Sequence, residues 1–476
     1  HQKKYLLKHK IMKVKILFVF VGLLLFSCKK KTNEPNLEKP KAFVQISDSI
    51  LENAVIYEAN IRQYSSEGTF KAFTKDIPKL KNLGVKIIWL MPINPISEVK
   101  RKATDGSFTS DIKDEAERKK YLGSYYSVSD YKAINPEFGD KDDFKNLVNT
   151  AHDNGIYVIV DWVPNHTGWD HPWISAHPNW YTQNEKGEII DPINPDTGKS
   201  WGWTDVADLN HENKEMQNAM INDLKYWVEN FNIDGYRMDV AHKVPPLFFN
   251  KAITELRKIK PLFMLAEAEQ HELFRNGFDM QYAWEGHHIL NKIAKGEANV
   301  TDFDVYMKKQ EELLEASDFN MNFVTNHDEN SWNGTIKERM GDASEVFTVL
   351  VYAMPGMPLI YSGQEYDLNH RLKFFEKDSI PKTKGNTWNL LTKLGDLKNN
   401  HLAFHGGKIA ASYERLTTEN ENVVAFKRSK EVAEVYFIGN LSNQVQSFIL
   451  DVEGTYEDLL LNKSLILNQK KIQLAP

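Results

Sequence analysis

From Ala54 onward the chain alternates short β-rich runs with amphipathic helical segments, and this alternation restricts the fold more than any other feature. Parallel neighbours in a sheet must be joined by a crossover, and a helix is the compact way to make one, so the pattern builds βα units. Eight runs read as strands: residues 55–57, 87–91, 157–162, 235–239, 262–266, 278–281, 322–325 and 359–361. Between them, residues 70–83 carry Phe70, Phe73, Ile77, Leu80 and Leu83 at the three-to-four spacing of a helix. Residues 142–154 repeat it with Phe144, Leu147, Val148 and Ala151, and Gly155 ends that helix. Residues 215–231 and 302–314 follow the same rule. Eight βα units fit a (β/α)8 TIM barrel, and a doubly wound open sheet fits the same periodicity.

One connection is too long for a plain turn. The residues between the third strand and the helix at 215 are rich in Trp, Pro, Asn and Gly, and a compact domain carries so long a loop only as a functional excursion. We read about 167–207 as a small lobe over the barrel mouth, with a shorter charged insertion at 101–120. The barrel is expected over 49–400. Beyond it the helical pattern stops, and residues 423–426, 434–438, 447–450 and 472–474 read as strands of a C-terminal antiparallel β-sandwich domain, 401–476.

The N-terminal region reads as an export signal. Lys3, Lys4, Lys8, Lys10, Lys13 and Lys15 precede an apolar run over 16–26, which is too short to span a bilayer but suits the core of a signal peptide. Leu25-Phe26-Ser27-Cys28 then resembles a bacterial lipobox, in which the cysteine is lipidated. Cys28 is the chain's single cysteine, so no intramolecular disulfide forms. The expectation is a signal region over 1–28, with Met12 as the start and 1–11 outside the native protein. A tether with Pro35 and Pro40 follows over 29–48. The protein would cross the inner membrane and be held to the bacterial envelope, at the outer membrane, by a lipid on Cys28. An ordinary signal peptide with an incidental cysteine is the alternative. The net charge of −6 points away from a nucleic-acid partner.

Active sites on such barrels lie at the C-terminal strand ends. The third strand runs into Asp161-Trp162-Val163-Pro164-Asn165-His166, the fourth into Gly235-Tyr236-Arg237-Met238-Asp239, the fifth into Ala266-Glu267-Ala268-Glu269, and the seventh into Asn326-His327-Asp328. Any one of these polar residues alone is more often a helix cap or an ion-pair partner. Four strand ends delivering Asp, Glu, Arg and His toward one mouth point to a site.

These four segments, in this order, resemble the signature regions of the α-amylase family, glycoside hydrolase family 13. Gly123-Ser124-Tyr125-Tyr126 through Asn135-Pro136-Glu137-Phe138-Gly139, Asp208-Leu209-Asn210 and Gly363-Gln364-Glu365 extend the likeness. The resemblance implies a (β/α)8 barrel with Asp239 as nucleophile, Glu267 as acid/base and Asp328 as the third carboxylate. It implies that Arg237 lies beside the nucleophile, that His166 and His327 bond substrate hydroxyls, and that Tyr125 is the aromatic platform. It further implies Ca²⁺ held by Asn165, Asp208 and the Lys243 backbone carbonyl, although His242 and Lys243 depart from the usual lysine and histidine; the alternative is that Asn165 and Asp208 only brace the loop. Glu269 is the rival to Glu267. Breaking an acetal builds positive charge on the sugar ring and needs a proton at the leaving oxygen, which is why two carboxylates with opposed protonation states are required. Asp239 beside a permanent cation is expected to stay ionised, and Glu267 to hold its proton.

The implied reaction is retaining hydrolysis of α-1,4-glucosidic bonds in starch-like polysaccharides or maltooligosaccharides. Val240 after the nucleophile is compatible with α-1,6 as well as α-1,4 enzymes. An α-1,6-acting or exo-acting oligosaccharide glucosidase, or a transglycosylase, is therefore the second reading. A non-catalytic glucan-binding protein and a metal-dependent hydrolase using His166, His327 and Asp328 are the readings from other classes.

Overall fold

The computed structural model describes residues 45–468 and 471–476. Cys28, the signal region 1–28 and the tether up to 44 lie outside the described residues.

Eight strands form one closed parallel ring in sequence order. They are β1 (Val55–Ala59), β2 (Val85–Leu90), β3 (Tyr157–Trp162), β4 (Gly235–Met238), β5 (Phe263–Ala266), β6 (Met280–Tyr282), β7 (Phe319–Asn322) and β8 (Met357–Tyr361), and β8 pairs back onto β1. Closure decides between the two architectures that the periodicity allows: the fold is a (β/α)8 barrel.

Strand residues alternate between two environments, as a pleat requires. Val55, Tyr57, Ile88, Val158, Tyr236 and Met264 face outward into the layer of helices. Ile56, Ile87, Ile159, Phe263, Met280 and Phe319 fill the inside of the ring. Two residues further along their strands, in the same inward phase, stand Glu58, Trp89, Asp161 and Arg237. The ring interior thus changes from apolar to charged at the C-terminal ends of β1, β3 and β4.

Two elements differ from expectation. The seventh strand is Phe319–Asn322, three residues earlier than the apolar pattern places it. Its asparagines are tolerated because their amides are satisfied: Asn320 donates to Gln310 Oε1 at 2.9 Å and Asn322 to the Pro355 carbonyl at 2.8 Å. The shift leaves 323–326 as the connection to the helical turn that carries His327 and Asp328. The segment 70–83 is not one helix but Phe70–Thr74, Ile77–Leu80 and a 3₁₀ turn Lys81–Leu83, with Pro78 in the first turn after the break. Gly84 ends it at φ 76°, where a Cβ would stand 2.5 Å from Gly395 Cα.

The helices Lys141–Asp153, Lys214–Phe231 and Val300–Leu313 start on side-chain caps, Asp140, Asn213 and Asn299. The folded unit begins earlier than residue 49. Ile46 is buried inside the ring and the helix Asp48–Asn53 follows it, so the end of the expected tether belongs to the barrel.

The lobe after β3 is pinched at its base by an antiparallel ribbon, His166–Gly168 against Val206–Asp208. Beyond the helix Asn386–Asn400 come a three-stranded antiparallel sheet (Ser412–Arg415, Val423–Lys430, Ala433–Asn440) and two two-stranded ribbons. Phe426 and Phe437 join the barrel's outer core, and Arg428, fully buried, donates to the Ala353 carbonyl at 2.7 Å.

Candidate active site

Arg237 is the hub of the barrel mouth and has no solvent exposure. Its Nη1 donates to Asp161 Oδ1 at 2.9 Å and to Asp239 Oδ1 at 2.7 Å. Its Nη2 stands 3.0 Å from Glu267 Oε2, an ion pair without hydrogen-bond geometry. Nε donates to the Tyr282 hydroxyl at 3.2 Å, and the Trp89 ring lies 5.0 Å from the guanidinium. One rigid fork therefore sets the spacing of three carboxylates from β3, β4 and β5.

Glu267 is fixed from its other side as well. Its Oε2 accepts from the Val240 backbone N–H at 2.6 Å. Val240 has φ 37°, a left-handed conformation that costs a β-branched residue strain, and it lies directly after Asp239. The strained turn aims an N–H at Glu267.

His327 closes the site from the β7 side. Nδ1 faces Glu58 Oε1 at 2.5 Å, and Nε2 lies 2.8 Å from the Tyr126 hydroxyl and 3.5 Å from Asp328 Oδ2. The Tyr126 ring stacks on the imidazole at 5.4 Å, and its hydroxyl donates to Asp161 Oδ2 at 3.2 Å. Asp328, its side chain 37% exposed, is the carboxylate most open to the mouth.

The two histidines differ in charge. Burial lowers His166 to about 4, so it is neutral at pH 7. Asn165 Nδ2 faces its Nδ1 at 3.1 Å, which leaves the proton on Nε2. Burial opposes the charge on His327 too, but Asp328 and Glu58 outweigh it and raise His327 to about 9.

The carboxylates hold more protons than expected. Burial raises Asp161 to about 6 against Arg237 and His327. For Asp239, burial and then Glu267 push upward while Arg237 pulls down, and the upward push wins. Arg237 does not hold Asp239 low by itself, because it is shared among three acids. Groups this close titrate as a set.

The four strand ends thus bring together Asp239, Glu267, Asp328, Arg237, His166 and His327. Tyr125 is not among them. It is 2% exposed, its hydroxyl bonds Asn60 at 3.1 Å, and Arg62 lies 4.1 Å over its ring. The aromatic residue at the site is its neighbour Tyr126, a shift of one position. Glu269 is occupied elsewhere, its Oε2 accepting from the Glu285 N–H at 2.7 Å in the first turn of the helix Trp284–Ala294. Glu58, Trp89, Asp161, Tyr126 and Tyr282 are members that the strand-end reading passes over. Their signal is phase: each charged one sits on the inward side of a buried strand.

The residues expected to hold calcium do not assemble a calcium cage. Asp208 Oδ2 accepts from Thr182 Oγ1 at 2.7 Å, and Asn165 is turned to His166. Asp208 is the set's one anionic donor, its local cation is the Lys243 ammonium, and burial raises it to about 6. Among the described residues no group of three or more His, Cys, Asp or Glu side chains is placed to hold a metal. Calcium takes six to eight oxygens, and the side chains of this set bring one carboxylate, bonded to Thr182, and one amide.

A closed barrel with paired acids bridged by a buried arginine at its C-terminal rim defines a class, the barrel glycosidases. Residues 40–278 match the family model for the alpha-amylase catalytic domain, and the chain belongs to that family. It is similar to the crystal structure of a noncanonic maltogenic alpha-amylase, AmyB, from Thermotoga neapolitana. The TM-score is 0.78 and the identity 26%, covering 89% of this chain and 97% of that one. An alpha-amylase from Lactobacillus plantarum matches with TM-score 0.77 and 28% identity over 90% of this chain and 97% of that one. Among curated relatives, Alpha-amylase 3 of Dictyoglomus thermophilum is 24% identical over 89% of this chain and 92% of its own length. The chain is a glycoside hydrolase.

Proposed function

We propose that this hydrolase cleaves α-1,4-glucosidic bonds in starch-like polysaccharides or maltooligosaccharides with retention of configuration. The observation that carries the reading is the Arg237 guanidinium, reaching Asp239 at 2.7 Å and Glu267 at 3.0 Å. A retaining site needs carboxyl groups ~5–5.5 Å apart, and two acids on one guanidinium suit that spacing.

In the first step Asp239 attacks the anomeric carbon. The C–O bond to the leaving sugar breaks, and the released oxygen takes the proton of Glu267. In the second step water gives its proton to Glu267 and its oxygen to the anomeric carbon, freeing the Asp239 carboxylate. The direct hydrogen bond from Arg237 goes to Asp239 and not to Glu267, which stabilises negative charge on Asp239 as the attacking group. Asp328 and the imidazolium of His327 would hold sugar hydroxyls, neutral His166 would donate through Nε2, and Tyr126 would lie against the reacting ring. No step is routed through calcium.

Release of reducing ends from soluble starch, pullulan and maltotriose, with the anomer followed by NMR, tests the reading. The α-anomer released from starch is expected. Cleavage of pullulan at α-1,6 links alone would assign the second linkage, and transfer products in place of hydrolysis would make the chain a transglycosylase. Binding without any release would make it a glucan-binding protein.

We also propose that Cys28 carries the lipid and holds the enzyme on the bacterial envelope, facing polymer outside the cytoplasm. Labelled fatty acid should enter the wild type and not Cys28→Ser.

A further inference from the structure

Glu58 is a carboxylate that the two-step reaction leaves unused. It sits on the inward face of β1 with no solvent exposure. Its backbone carbonyl accepts from both the N–H and the hydroxyl of Ser362 at the end of β8, at 3.0 and 2.8 Å, so the residue is held on its β8 side. Its Oε1 faces His327 Nδ1 at 2.5 Å, and its Oε2 is buried without a hydrogen-bond partner. A buried carboxylate with a free oxygen is destabilising compared with an apolar residue of similar size.

The hydrogen-bond inventory around His327 fixes its protons. Glu58 and Asp328 are acceptors when ionised, and they face Nδ1 and Nε2 respectively. Tyr126 has one hydroxyl proton, directed to Asp161 Oδ2, so its oxygen is free to accept from Nε2. Every neighbour is best served when both ring nitrogens carry hydrogen. That form is the imidazolium, and Glu58, whose carboxyl burial pushes up against the pull of His327, is its counter-charge inside the barrel. Of the other groups facing the ring, Asp328, Asp161 and Tyr126 lie on the Nε2 side, and Arg237 opposes the positive charge.

We infer that Glu58 is a positioning residue of this active site: through Nδ1 it locks the His327 ring in place as a two-donor imidazolium, so that Nε2 can donate to a hydroxyl of the reacting sugar. When sugar binds, Nε2 exchanges the Tyr126 oxygen for the substrate oxygen, and Glu58 keeps the ring from turning with it. The inference rests on the proposed glycosidase reading for its catalytic part and on the geometry alone for its histidine part.

Two measurements on the full chain separate these parts. Steady-state hydrolysis of maltoheptaose by wild type, Glu58→Gln, His327→Gln and the double variant forms a cycle. Glu58→Gln should lower kcat about tenfold or more with a smaller change in KM, and should add less than about twofold once His327 is already Gln. Glu58→Asp, which keeps the charge, should recover part of the loss and serves as the second variant if the amide fails to fold. Full additivity in the cycle, or wild-type kcat in Glu58→Gln, would overturn the inference. Independently, ¹⁵N-histidine NMR, with His327 assigned by its loss in His327→Gln, should show both nitrogens protonated at pH 7. In Glu58→Gln that titration should move to lower pH, and an unmoved titration would equally overturn the inference. A wild type that releases no sugar but passes the NMR test would sink the glycosidase reading and leave the pairing standing.

Discussion

The Arg237 guanidinium donates to Asp239 at 2.7 Å but meets Glu267 at 3.0 Å only as an unaligned ion pair. The asymmetry assigns different work to two acids that are chemically alike. Asp239→Asn and Glu267→Gln should each lower kcat ~10³-fold or more while the variants unfold at temperatures close to wild type. Circular dichroism and reducing-sugar assays check the pair. Near wild-type turnover in either variant would remove that residue from the reaction.

Loss of the arginine is a different lesion. Arg237→Lys keeps one charge but cannot serve Asp161, Asp239 and Tyr282 from one planar group. It should cost activity and stability together, because buried acids are left without hydrogen-bond donors. An Arg237→Lys protein that melts like wild type would mean that the carboxylates are not held by the fork.

Stability should fall as pH rises through the range in which the cluster loses protons. His327 is raised to about 9 from an ordinary value near 6.5, so the native state holds its proton more tightly than the unfolded chain. Its contribution is complete below the ordinary value and is lost as pH rises through about 9. Asp161, raised to about 6, acts in the same direction at lower pH. Thermal unfolding across pH 5 to about 10 should show a falling Tm with an upper step that His327→Gln removes. A Tm that climbs between pH 7 and 9 would contradict the sign.

Much of the barrel was legible because its strands are short apolar runs bounded by turns, and 157–162 is the third strand residue for residue. The site was legible where a polar residue follows a strand, as with Asp239, Glu267 and Asp328. Inside a strand it was legible at Arg237, two residues before Asp239, and not at Glu58 or Asp161. Glu58 and Asp161 interrupt apolar runs, and only the inward phase of a closed ring tells that they meet Arg237 and His327 and not solvent. Tyr125 and Tyr126 are adjacent and alike, so sequence could not say which ring faces in. Asn320 and Asn322 hid the start of β7, since asparagine is rare in strands and only partners across space make it tolerable.

Asp208 separates a bracing role from a metal-binding one. Its carboxyl is raised to about 6 by burial, with Thr182 as donor. Above that pH the charged form is penalised, so Asp208→Asn should leave Tm at pH 8 unchanged or slightly higher. Chelator should leave both Tm and activity as they are. A fall in Tm with chelator, restored by Ca²⁺ and abolished in Asp208→Asn, would show that the residue takes an ion after all.

Chain-length preference should reside in two indoles. Among the exposed large hydrophobic residues, Trp201 at 41% and Trp332 at 51% are the aromatic ones. Trp201 stacks with Trp203 at 6.0 Å, and Trp203 lies 6.0 Å from His166. Trp332 follows Asp328 by four residues and packs on Phe374 at 5.1 Å. Its turn is pinned by Leu372, whose N–H reaches Asn330 Oδ1 at 2.8 Å and whose carbonyl accepts from Ser331 Oγ at 2.9 Å. Both rings are solvent-facing and packed on neighbouring aromatic rings, which suits them to stack on the C–H faces of glucosyl units flanking the cleaved bond. Trp332→Ala and Trp201→Ala should each lower kcat/KM on maltoheptaose about tenfold, near 1.4 kcal/mol, and leave 4-nitrophenyl α-maltoside almost untouched. Equal losses on both substrates would place the rings in the folding of the rim, and no loss on either would leave the polymer without a hold beyond the reacting sugar.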